Sequence, residues 1–113
     1  MIRILNYEDN PERDCRIQGL QPVMWVVIID AWYLWRFVFD QDLVWTAGTD
    51  SKHNGPSLHY VGYAVDLRTN TLTEEQRKHA RDELADALGR DFDVVLEGNH
   101  MHIEFQPKHP INM

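Results

Sequence analysis

A nitrogen donor and an oxygen donor, His59 and Asp66, stand close together in the run Ser57-Leu58-His59-Tyr60-Val61-Gly62-Tyr63-Ala64-Val65-Asp66. An imidazole and a carboxylate form a ligand pair that suits a divalent metal such as zinc. Gly62 and the small Ala64 lie between them, and the spacing fits a turn that enters a strand, with both side chains directed toward one point. Two donors do not complete a zinc site. A third must come from elsewhere, and the other dense donor cluster is Glu97-Gly98-Asn99-His100-Met101-His102-Ile103-Glu104.

Ser57-x-His59-x-x-Gly62-x-Ala64-x-Asp66, followed by His100-x-His102, resembles the zinc peptidases of the D-alanyl-D-alanine carboxypeptidase type. That group includes the L-alanyl-D-glutamate endopeptidases of phage lysis systems. Ser57-Leu58-His59-Tyr60 and Gly62-x-Ala64-Val65-Asp66 are similar also to the metal-binding stretch of the hedgehog signalling domain, which shares that fold. The resemblance runs from about Val44 to Phe105.

The resemblance implies one zinc per chain, held by His59, Asp66 and His102, with the fourth position left open as in catalytic zinc sites. Zinc lowers the pKa of a water and polarises a peptide carbonyl. A neighbouring group must then take the proton and pass it to the leaving amine. Glu97 and His100 are the two candidates: Glu97 is taken as the base, with His100 supporting the ligands from behind or stabilising the transition state. In some relatives the base glutamate precedes the ligand histidine by three residues, which would make His100 the ligand. The His-x-His order favours His102.

The implied activity is hydrolysis of a peptide bond in bacterial cell-wall stem peptides, as in a phage endolysin. The alternative is a non-catalytic, metal-containing binding module of the hedgehog type. Glu97 favours the enzyme, because a binding module needs no base. The resembling carboxypeptidases grip a terminal carboxylate with an arginine where this chain, in Thr46-Ala47-Gly48-Thr49-Asp50, has Asp50. An aspartate repels that carboxylate. Lys52 and Arg68 are the candidate replacements and Ser57 a further substrate contact, and the balance tips toward an endopeptidase.

Composition sets wider bounds. A chain of 113 residues with 43% hydrophobic and 26% charged residues reads as one globular domain spanning 1–113. A net charge of −7 argues against a nucleic-acid partner. The single cysteine, Cys15, allows no internal disulfide. Met1 to Asn10 carries Glu8 and Asp9 without a long apolar core, so no signal peptide is visible. A peptidase of this kind would be cytoplasmic at synthesis and act on the wall after release.

The elements that must position these residues follow from pattern. Met1 to Gly19 reads as a short strand or an irregular arm. Pro22 opens a helix that runs from Val23 to about Phe39, with Trp25, Ile28, Ile29, Trp32, Trp35 and Phe39 at helical spacing. Asp30 and Arg36 within it argue against a membrane span. Strands are expected at Leu43–Ala47 and Val61–Arg68. Thr73-Glu74-Glu75-Gln76 is a capping-box signature for a helix from Glu74 to Leu88, stopped by Gly89, with Ala80, Leu84, Ala87 and Leu88 as its buried stripe. Phe92–Glu97 and Met101–Phe105 form a hairpin across Gly98-Asn99. Period two then places Met101, Ile103 and Phe105 on the core side and His100, His102 and Glu104 opposite. The expected fold is α+β: a small antiparallel sheet with both helices on one face and the zinc on the other.

Overall fold

A computed structural model of the chain describes residues 2–4, 19–47 and 62–107. Cys15, Asp50, Lys52, Ser57 and His59 lie outside the described residues. In chain order the elements are β1 (Ile2–Ile4), α1 (Pro22–Tyr33) continued by a π-helical turn (Leu34–Val38), β2 (Leu43–Ala47), β3 (Ala64–Arg68), α2 (Glu74–Leu88), β4 (Phe92–Glu97) and β5 (His100–Phe105). The fold is α+β. Among the described residues no helix is long and apolar enough to cross a membrane.

The strands form one sheet in the order β1-β2-β3-β5-β4. β2, β3, β5 and β4 pair antiparallel, as expected. To this four-stranded antiparallel sheet β1 adds a fifth strand at the edge, parallel to β2. A parallel neighbour requires a crossover, and here α1 lies between the two strands in the chain.

Alternation sorts the sheet into two faces. Leu43, Trp45, Val65, Leu67, Met101 and Ile103 are buried in one core together with Met24, Val27, Ile28, Ala31, Leu34 and Trp35 of the first helical segment and Ala80 and Leu84 of α2. Both helices therefore cover the same face. The opposite face carries the polar residues of β3 and β5.

Of the residues expected at helical spacing, Ile28, Trp35 and Phe39 are buried and Trp32 packs against the core, but two are not buried. Trp25 is 41% exposed and Ile29 60%, whereas Met24, Val27 and Ala31 are fully buried. The helix is apolar nearly all round, so periodicity could not say which members of each turn meet the sheet. The π-helical turn then closes on Leu34, whose carbonyl accepts from Phe39 N at 3.1 Å. Asp40 ends the segment in the left-handed region, with φ 54°.

α2 follows its sequence signals at both ends. Thr73 Oγ1 accepts from Gln76 N at 3.1 Å, and Gln76 Oε1 accepts from Thr73 N at 3.0 Å. Gly89 ends the helix with φ 87°. Ala80 and Leu84 are buried and Leu88 half-buried, but Ala87 is exposed.

The strand expected from Val61 begins at Ala64. Gly62 has φ 80°, a left-handed conformation no strand contains. Its carbonyl accepts from Gln21 N at 3.0 Å, and a Cβ on it would collide with the Gly19 carbonyl oxygen. This close approach ties the start of β3 to the entry of α1, and β3 in turn sets the position of Asp66.

Candidate metal centre

Three rows of side chains cross the open face of the sheet, fixed by register. In the middle row Asp66 of β3 stands opposite His102 of β5, which stands opposite Val95 of β4. On one side His100 lies between Arg68 and Glu97. On the other Glu104 lies between Ala64 and Asp93. Directly paired residues share a face, so the sheet itself gathers these groups.

The middle row holds the tightest contacts. His102 Nδ1 lies 2.8 Å from Asp66 Oδ1, and His102 Nε2 lies 2.9 Å from Glu104 Oε1. The side chains of His102, Asp66 and Glu104 are only 20%, 10% and 23% exposed. In the metal-free chain the hydrogen bond to Asp66 pushes the His102 imidazole up to about 9. Burial opposes that shift, while the charge of Asp66 and the bond and charge of Glu104 reinforce it. Both ring nitrogens then donate to carboxylates.

The adjoining row holds a second carboxylate–imidazole pair. Glu97 Oε2 is 3.2 Å from His100 Nε2, and Asn99 Oδ1 is 3.0 Å from His100 Nδ1. The hairpin turn that carries them is anchored by Thr69 N, which donates to the Asn99 carbonyl at 2.9 Å. His100 and His102 alternate with buried Met101, so the rows lie one same-face step apart, about 7 Å along a strand. Arg68 is half-buried on the same face, across from His100.

Among the residues singled out from sequence, the structure thus brings Asp66 to His102 and Glu97 to His100. Ser57, Lys52 and His59 lie outside the described residues. Among the described residues no three ligand side chains converge on one point. The geometry gives the reason: Asp66 and Glu104 meet opposite edges of the His102 ring and cannot share a metal with it. Among the described residues this leaves one imidazole nitrogen facing one carboxylate oxygen, two donors of kinds that zinc accepts.

Glu104 and Gln106 have no role in the reading of the sequence given above. With its amide nitrogen turned inward, Gln106 donates to Glu104 Oε2 at 3.2 Å and to Asp93 Oδ2 at 2.9 Å. The signal for Glu104 was its place two residues beyond His102, on the same face of the strand. Thr46 also supports the row, its hydroxyl donating to the Asp66 carbonyl at 3.2 Å. Chemically, this face presents two donors for a cation at Asp66–His102 and a carboxylate–imidazole pair at Glu97–His100. Comparisons with protein-family models, curated proteins and solved structures find no match for this chain.

Proposed function

We propose that the chain is a zinc-dependent peptidase that hydrolyses a peptide bond in bacterial cell-wall stem peptides. The observation that carries the reading is the pairing on one open sheet face. Asp66 and the Nδ1 edge of His102 face each other, and a separate carboxylate–imidazole pair, Glu97 with His100, stands one step away. The motif resemblance supports the same assignment and names His59 as the third ligand.

In this reading Asp66, His102 and His59 hold the metal. Zinc, when bound, supplies a Lewis acid that polarises the scissile carbonyl and acidifies a water. Glu97 accepts the proton of the attacking water and delivers it to the leaving amine. His100, bracketed by Glu97 and Asn99, donates a hydrogen bond to the charge that develops on the carbonyl oxygen. Arg68 lies beside His100, where a substrate carboxylate or backbone carbonyl can be met. The single cationic side chain in that row, with Asp50 at the position of the family's arginine, favours cleavage within the stem peptide over removal of a terminal residue.

The test is digestion of intact peptidoglycan and of a free stem pentapeptide with the zinc-loaded protein, with products weighed by mass spectrometry. Amino groups released from the intact wall, with loss of activity in His59→Ala, Asp66→Ala and His102→Ala, are expected. Free D-alanine as the main product would reject the endopeptidase assignment. A protein that carries zinc and cuts neither substrate would be a binding module instead.

A further inference from the structure

We infer that Glu104 is a positioning residue that fixes the ring of His102, keeping a proton on Nε2 and presenting Nδ1 to Asp66 and a metal. This rests on the zinc reading above and adds to it a residue that neither the motif nor its resemblance assigns. A neutral imidazole carries one proton and has two nitrogens, and the acceptor each nitrogen meets decides where that proton stays. His102 meets a carboxylate at each edge, Asp66 at 2.8 Å from Nδ1 and Glu104 at 2.9 Å from Nε2. When a cation takes the Nδ1 edge, the remaining proton must sit on Nε2, and Glu104 accepts it there.

Without Glu104 two competing arrangements open. The neutral ring can keep its proton on Nδ1, donated to Asp66, which blocks the metal position. Alternatively it can turn over and offer Nε2 to the metal with no partner behind it. The carboxylate removes both. It stands on the far edge of the ring from Asp66, so it cannot itself become a ligand at the same metal.

Glu104 is in turn held. With its amide nitrogen turned inward, Gln106 donates to Glu104 Oε2 at 3.2 Å and to Asp93 Oδ2 at 2.9 Å, and Asp93 is the directly opposite neighbour of Glu104 on β4. The bridging amide keeps two neighbouring carboxylates apart in orientation and leaves Glu104 Oε1 free for His102. A chain of contacts thus runs from Gln106 through Glu104 and His102 to Asp66. Such carboxylate–histidine supports behind metal ligands typically change metal affinity by about 10–100-fold when removed.

The experiment measures zinc affinity by chelator competition in wild type, Glu104→Ala and Glu104→Gln, each checked for native fold by its amide NMR spectrum. Glu104→Ala should bind zinc about 10–100-fold more weakly. Glu104→Gln should stay within a few-fold of wild type, because its amide oxygen still accepts from Nε2–H. Long-range nitrogen–proton spectra of the zinc-loaded wild type should show His102 Nδ1 on the metal and a slowly exchanging proton on Nε2. That proton should exchange rapidly in Glu104→Ala and be protected again in Glu104→Gln. Zinc on Nε2, unchanged affinity in Glu104→Ala, or equal losses in both variants would overturn the positioning role. Unchanged affinity in Glu104→Ala would leave the peptidase reading standing, whereas a wild type that takes up no zinc would overturn both.

Discussion

In the metal-free protein His102 should act as a proton-linked clamp whose contribution to stability disappears in alkaline solution. The folded chain raises its imidazole from 6.5 to about 9, chiefly through the hydrogen bond to Asp66. A raised folded pKa means that the native state binds the proton more tightly than the unfolded chain does. The stabilisation is therefore fully present below about 6.5 and is lost as pH rises through about 9. At about 1.4 kcal/mol per pKa unit the shift corresponds to about 3 kcal/mol. Partial contact of the three side chains with water lowers the expected effect to about 2 kcal/mol, still a large part of the stability of a small domain.

The assay is urea unfolding in the presence of a chelator, from pH 6 to pH 10, for wild type and His102→Gln. The variant cannot titrate at this position, so the difference between the two curves isolates the imidazole. That difference should shrink by about 2 kcal/mol between pH 6 and pH 9.5. Parallel curves, or an NMR midpoint for His102 near its ordinary value, would refute the reasoning. Zinc competes with the same proton, and its affinity should rise across the same window.

Two further outcomes follow from other parts of the molecule. Glu97→Gln should retain zinc yet lose roughly two to four orders of magnitude in turnover, the usual scale for removing a general acid–base group; unchanged turnover on a cleaved substrate would remove Glu97 from the mechanism. Gly62→Ala combines φ 80° with a collision against the Gly19 carbonyl oxygen, while Gly89→Ala meets nothing within 4 Å at φ 87°. Urea midpoints should show about 1–3 kcal/mol lost at Gly89, from the backbone alone, because φ 87° with ψ −178° is a conformation almost only glycine adopts, and a clearly larger loss at Gly62. Equal losses would show that the contact with the start of α1 is not tight.

By itself the sequence determined the elements whose signals are local. The capping box at Thr73, the stop at Gly89, the Gly98-Asn99 turn and the alternation of Met101 and Ile103 with His100 and His102 depend on neighbours a few residues away. All reappear in the structure. The same alternation put the polar residues of β5 on one open face, so much of the candidate site was legible before any fold was known.

Tertiary structure decided the rest, because it depends on pairing between distant segments. Periodicity in an apolar helix cannot choose a side, and only packing on the sheet buried Met24 and Val27 while leaving Ile29 exposed. The parallel place of β1 beside β2 has no local signature. The start of β3 at Ala64 depends on Gly62 pressing against Gly19, far away in the chain. Above all, antiparallel register set Asp66 against one edge of His102, and the alternation within β5 set Glu104 against the other. The sequence places Glu104 on the face of His102 and gives it no role. Only the register and the fold show that Asp66 and Glu104 meet opposite edges of the one His102 ring.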